Sequence, residues 1–127
     1  MTELGRFIVA TSAGKTRTVT IWNVNSSGSY AEVCSVSNIS LTSGLNTYIW
    51  SAVSGTPTLT SGIIYLIASN ERANDVTNGW AEQTTLTSTA AINNISLAYQ
   101  GDDVPTYGGW NGSTANAGFA GVNFKYV

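Results

Sequence analysis

Short apolar runs bounded by clusters of Gly, Ser, Asn and Thr recur along the whole sequence. Within each run, apolar residues alternate with polar ones or form a short block, and none keeps the spacing that a helix requires. The runs predict strands over residues 5–11, 16–24, 30–36, 46–53, 62–69, 92–100 and 119–127, with short additions at 37–41 and 84–89. Because the intervals leave no room for crossover helices, we predict an all-β fold with antiparallel sheets packed as a sandwich.

Length and charge narrow the classes of protein further. The 127 residues fit one domain, 1–127, and are 43% hydrophobic, which is enough for a core. The formal net charge is −2 with five Lys and Arg, so we expect no nucleic-acid partner and no anionic membrane surface. The longest apolar segment, residues 62–68, is too short to cross a bilayer, and the first residues lack the pattern of a secretory signal.

The residue types argue against catalysis. With no histidine, Ser-His-Asp and Cys-His arrangements are excluded, and nothing in the spacing of the seven acidic residues requires a facing pair. We therefore expect a protein that is not an enzyme.

Cys34 lies in an alternating apolar run and is predicted to be an inert core thiol. The segment "SAGKT" lacks the first glycine of a phosphate-binding loop and lies between two predicted strands.

The four tryptophans divide into two kinds. Trp22 and Trp50 lie in predicted strands, where alternation places each on the face opposite aliphatic neighbours, yet a sandwich core also commonly holds tryptophan. Trp80 and Trp110 lie instead in the two long polar connections, 70–83 and 102–118. A tryptophan in such a loop either covers the core or offers an aromatic face to a ligand, and the sequence leaves both possibilities open.

The segment "DDVPTYGGWNGS" combines the residue types that bind sugars. Aromatic rings pack against the C–H face of a sugar, while carboxylates and amides bond to its hydroxyls. The predicted ligand-binding residues are Trp110, Tyr107, Asn111, Asp102, Asp103, Trp80 and Trp22. No cofactor is expected; for the two adjacent aspartates, solvated carboxylates at a turn are favoured over a structural calcium site, because no spaced Asp loop is present.

Residues 4–69 resemble a family of jelly-roll β-sandwich modules found in bacteriophage tail and virion proteins and in multidomain secreted bacterial proteins. The resemblance rests on a strand that runs through Ile21 and Trp22 into the turn "NVNSSGS", and on the aromatic strand "NTYIW". It rests also on a final run matched at Thr56, Pro57, Leu59, Thr60, Gly62, Tyr65, Leu66 and, one position later than usual, Ala68. These are turn and core residues, so they indicate architecture more than activity.

What the resemblance implies is a jelly roll of about eight strands that serves as a binding module. The expected ligand is carbohydrate or another cell-surface receptor, as in a phage receptor-binding domain, and the expected location is the virion or the extracellular space. The alternative is a structural virion domain of a tail, fibre or capsid decoration that acts through homo-oligomeric assembly. If the chain assembles, a trimer is the expected oligomer by analogy with phage fibres.

Overall fold

The computed structural model describes residues 1–8, 13–25, 29–42, 44–69, 83–85, 117–119 and 122–126. All regular structure in these ranges is β. The strands are β1 Glu3–Phe7, β2 Thr16–Val24, β3 Tyr30–Ser40, β4 Tyr48–Ala52, β5 Ile64–Ser69, β6 Gln83–Thr85, β7 Ala117–Phe119 and β8 Val122–Lys125. The all-β class is confirmed for this part of the chain, which contains no helix that is long and apolar enough to cross a membrane.

The strands form two three-stranded antiparallel sheets. Sheet A has the order β4-β1-β8 and sheet B the order β3-β2-β5, while β6 and β7 pair with each other. The chain passes between sheets A and B after β1, β3 and β4, so the strands paired in sheet A are distant in sequence. In sheet A, β1 is the central strand, and it pairs with both the early strand β4 and the late strand β8.

One apolar core joins the two sheets, because each turns a face of aliphatic side chains toward the other. Sheet A contributes Leu4, with Ile8 and Val53 directly after its strands β1 and β4, and sheet B contributes Val19 and Ile21, all at most 9% exposed. The core is completed by the buried residues Cys34, Ile39 and Leu41. Desolvation, followed by the nearby Glu32 carboxylate, raises the pKa of the Cys34 thiol. The predicted core position of Cys34 is confirmed.

Sheet B differs from the predicted strand pattern at Asn38. Residues 30–36 are predicted as one strand and 37–41 as a short additional one, but Tyr30–Ser40 is a single strand. Asn38 has φ of 59°, a left-handed conformation that asparagine tolerates, and the register with β2 shifts between Arg17 and Val19. Asn38 therefore lies at a bulge within the strand, close to the predicted boundary between the two strands.

Other strand bounds also depart from the prediction. The strand predicted at 5–11 begins two residues earlier, at Glu3, and ends at Phe7. The run predicted as a single strand at 119–127 is divided between Ala117–Phe119, which pairs with β6, and Val122–Lys125, which joins sheet A. Alternation of apolar and polar residues cannot show that division, because the alternation is the same whether two neighbouring strands belong to one sheet or to two. The strand predicted at 92–100 lies outside the described residues.

The turn before β5 follows the predicted chemistry. Gly62 has φ of 81°, and the Thr60 carbonyl accepts a hydrogen bond from the Ile63 N–H at 3.4 Å. A positive φ at the third residue of a four-residue turn is the geometry of a type II turn, which favours glycine there. Gly62 therefore directs the chain back into sheet B, as expected from its place in the sequence.

Candidate functional site

A row of aromatic side chains crosses the face of sheet A that is turned away from the core. Residues paired across antiparallel strands share a face, and the register pairs Phe7 with Tyr48 and Gly5 with Trp50. The alternate residues Leu4, Ile8 and Val53 are in the core, so Phe7, Tyr48 and Trp50 lie on the opposite, outer face. We call these three residues the aromatic row.

The rings of the aromatic row contact one another in sequence. The Phe7 and Tyr48 rings meet edge to face, with centroids 5.1 Å apart and planes at 63°. The Tyr48 and Trp50 centroids are 5.2 Å apart, and their planes differ by only 27°. Tyr48 and Trp50 are thus stacked on each other with nearly parallel planes, and Phe7 contacts Tyr48 from the side. All three side chains are half-buried, so the row is packed against the sheet but not enclosed in a core.

Gly5 allows the Trp50 indole to lie directly on the backbone of β1. A methyl group added at Gly5 would come within 2.6 Å of Cε3 and 2.8 Å of Cζ3 of Trp50, closer than carbon atoms can approach. The backbone of Gly5 lies outside the left-handed region, so it is the space above the residue that requires glycine. Gly5 therefore sets the position of the indole.

The polar side chains beside the aromatic row come from β1 and β8. The Lys125 ammonium lies 4.3 Å from the centroid of the Trp50 ring, in cation–π geometry. The same ammonium is 2.6 Å from Oε2 of Glu3, its cross-strand partner. The Asn123 side chain hydrogen bonds to the Tyr48 hydroxyl. The outer face of sheet A thus combines flat apolar rings with an amide, a carboxylate and an ammonium.

Burial raises the pKa of the Tyr48 hydroxyl above its usual value near 10, although the Arg6 charge and the hydrogen bond from Asn123 act in the opposite direction. A folded-state pKa above the unfolded one means that the folded protein binds this proton more tightly. The stability that results is present below about pH 10 and is lost as the pH rises through the folded-state pKa.

Ionisation of the Tyr48 hydroxyl is therefore expected to lower the stability of the fold at alkaline pH. The Tyr48→Phe variant has no hydroxyl to ionise and should not show this loss. Between pH 8 and pH 11, the free energy of unfolding in urea should fall more steeply for the wild type than for the Tyr48→Phe variant. The variant serves as the control for all other titrating groups. Parallel curves for the two proteins would show that the Tyr48 hydroxyl titrates alike in the folded and unfolded states.

Of the predicted ligand-binding residues, only Trp22 is among the described residues. It lies on the face of sheet B opposite Val19 and Ile21, as alternation predicts, and it pairs with the buried Leu66 on β5. Its indole Nε1 is inaccessible to solvent, with no hydrogen-bond acceptor among the described residues. The predicted positions outside the described residues are Trp80, Asp102, Asp103, Tyr107, Trp110 and Asn111, which remain predictions from sequence.

The sequence pattern does not decide whether Trp50 lies in the core or on the opposite face of its strand. It also does not single out Tyr48 or Lys125 as site residues. The signal for Trp50 is its alternation with Tyr48 against Ile49 and Val53, which the structure confirms.

Within the described ranges, no group of three or more His, Cys, Asp or Glu side chains is placed to hold a metal ion. The chain matches no protein-family model, no curated protein and no solved structure.

Proposed function

We propose that this protein is a non-catalytic binding module that holds a saccharide on the aromatic row of sheet A. The observation that carries the proposal is the stacked pair of Tyr48 and Trp50 rings, on the side of the sheet opposite the core. Aromatic rings that serve only to fill a core lie between the sheets, whereas this row lies outside them. Half-buried rings beside polar groups are typical of sites that bind ligands.

The chemistry of the row suits a sugar better than a purely apolar ligand. A pyranose ring has an apolar C–H face that can stack on an indole or a phenol ring, and its hydroxyls need hydrogen-bond partners at the rim. Asn123 and Glu3 supply amide and carboxylate groups, and Lys125 supplies an ammonium. A few polar groups placed around an apolar surface fix the orientation of a ligand and select among its isomers.

The proposed setting is a jelly roll of about eight strands on a phage-type virion or another extracellular protein, where it recognises carbohydrate or another receptor on a cell surface. Three features support it. The strand β1 lies between β4 and β8, the chain crosses repeatedly between the two sheets, and residues 4–69 resemble the jelly-roll modules. In such folds, one sheet face and its rim are common places for a ligand.

Isothermal titration calorimetry of the wild type against a panel of neutral and acidic oligosaccharides tests this proposal. We expect saturable binding of at least one saccharide, with a negative change in heat capacity because apolar ring surface leaves water. Absence of binding across a broad panel, with the protein folded throughout, would remove the support for a saccharide-binding role.

A second candidate, homo-oligomeric assembly, is favoured by an apolar patch on sheet B. Ile64 is 71% exposed and Ile63 is 44% exposed at the beginning of β5. Ile64 pairs with Val24, which pairs in turn with Tyr30, so the three side chains form a row across the sheet. Apolar side chains exposed together on a β-sheet are typical of surfaces that pack against another protein.

If copies of this chain associate through that patch, Ile64→Lys is expected to convert the oligomer to a monomer. A charge at the centre of an apolar interface must be desolvated, so the substitution opposes association while it leaves the exposed strand end folded. Sedimentation velocity over a range of protein concentrations measures the effect. Leu45→Lys is the matched control, because Leu45 is a 55% exposed aliphatic residue outside the patch. A wild type that sediments as a monomer at all concentrations would exclude this candidate.

A further inference from the structure

We infer that the site on sheet A prefers saccharides that carry a carboxylate, and that Lys125 determines this preference. The inference rests on the proposed function and concerns the class of sugar that the aromatic row accepts. Its starting point is the position of the Lys125 ammonium, which lies over the Trp50 ring on which a sugar would stack. A sugar that occupies this ring therefore has to move the ammonium aside.

The contacts that hold Lys125 in place are weak enough to be exchanged. The Lys125 and Glu3 side chains are 47% and 34% exposed, and an ion pair with that exposure to water contributes little to stability. The contact between the ammonium and the Trp50 ring is likewise weak where water has access. The lysine stem has four flexible carbons, so the ammonium can move to the edge of the ring without a change in the backbone.

Neutral and acidic sugars differ in the hydrogen-bonding groups that they offer to the displaced Lys125 ammonium. A neutral sugar covers the Trp50 ring and offers Lys125 only hydroxyl groups. A uronic acid covers the same ring and offers a carboxylate, which forms a charge-assisted hydrogen bond with the ammonium. The Glu3 carboxylate competes for the same ammonium and repels the ligand's charge, so Glu3 limits the preference and Lys125 creates it.

The test uses two matched pairs of oligosaccharides, β-1,4-linked glucose with β-1,4-linked glucuronic acid, and β-1,4-linked mannose with β-1,4-linked mannuronic acid. Within each pair only the group at C6 changes. For the wild type we expect the acidic member to bind roughly threefold to tenfold more tightly at low salt. The preference should shrink at 0.5 M salt, because the charges are screened.

Three variants separate the role of the charge from that of the fold. Lys125→Gln is expected to abolish the preference for the acidic sugar, because glutamine can hydrogen bond to the hydroxyls of either member of a pair but carries no charge to pair with the carboxylate. Lys125→Arg should restore the preference. Glu3→Gln should increase it, since the competing carboxylate is gone. A general loss of structure would weaken binding of both classes of sugar alike, and cannot remove the preference in one variant, restore it in the second and increase it in the third.

The outcomes distinguish this inference from the proposed function. If neutral and acidic members bind equally to the wild type, or if Lys125→Gln keeps the preference, the role of Lys125 is wrong while saccharide binding stands. If neither member of either pair binds and the wider panel also fails, the proposed function is wrong and this inference falls with it.

Discussion

Replacement of Gly5 by alanine is expected to lower the free energy of unfolding by about 1–3 kcal/mol. The added methyl group would lie 2.6 Å from Cε3 of Trp50, so the indole must leave its place on β1. Its departure also breaks the contact with Tyr48, whose ring centroid is 5.2 Å away, and the contact with the Lys125 ammonium. Because β1 is the central strand of sheet A, the strand itself cannot move away to relieve the clash.

The control for this prediction is the same substitution in a Trp50→Ala background. With the indole removed, nothing opposes the methyl group, and alanine restricts the unfolded chain more than glycine does. Gly5→Ala should then stabilise the protein by roughly 0.4–1 kcal/mol. A double-mutant cycle measured by urea unfolding gives the difference directly. If Gly5→Ala has the same effect in both backgrounds, the indole does not lie on Gly5 and the geometry of the site is wrong.

Trp50→Ala is expected to weaken saccharide binding by at least about thirtyfold, since aromatic residues at the centre of a binding surface commonly contribute that much. The substitution removes the larger of the two stacked rings, and it leaves Tyr48 without its stacking partner. Calorimetric titration with the best ligand of the wild type measures the loss. Trp50→Phe should retain part of the affinity, because a smaller ring keeps an apolar face at the same place.

The matched control for Trp50→Ala is Tyr126→Ala. Tyr126 is 44% exposed and its ring lies 5.9 Å from that of Phe124, whose side chain packs against the core and not in the aromatic row. Its removal should leave the affinity for saccharide unchanged. Circular dichroism of both variants establishes that each remains folded. Equal affinity of the wild type and Trp50→Ala would place the ligand elsewhere.

The strand pattern was largely predictable because a half-buried strand alternates between apolar and polar residues. Alternation alone placed Tyr48 and Trp50 on one face of their strand, with Ile49 and Val53 on the other. It could not decide which face was the core, because a large aromatic and a branched aliphatic residue are both common inside a sandwich. The packing of Val53 with Leu4 and Ile8 decides between the two faces, because it places the aliphatic face of β4 in the core.

The candidate site depends on register between strands that are far apart in the sequence. Gly5 meets Trp50, and Glu3 meets Lys125, only because β1 pairs with both β4 and β8. Neither pairing leaves a local signal, since a shift of two residues in register would keep every side chain on the same face and yet pair different residues. The continuity of β3 through Asn38 was not predictable for a related reason: a residue that tolerates the left-handed conformation serves a turn and a bulge equally well.

The most direct test of the central claim is a two-dimensional NMR spectrum of the indole N–H groups of the ¹⁵N-labelled protein, recorded during titration with the best saccharide. The four tryptophans give four signals, which single Trp→Phe variants assign. The account predicts that the Trp50 signal shifts with saturation, while that of Trp22, whose Nε1 is inaccessible to solvent, stays in place. A shift confined to Trp80 or Trp110, with Trp50 unchanged, would contradict it and move the site to the polar segments predicted from sequence.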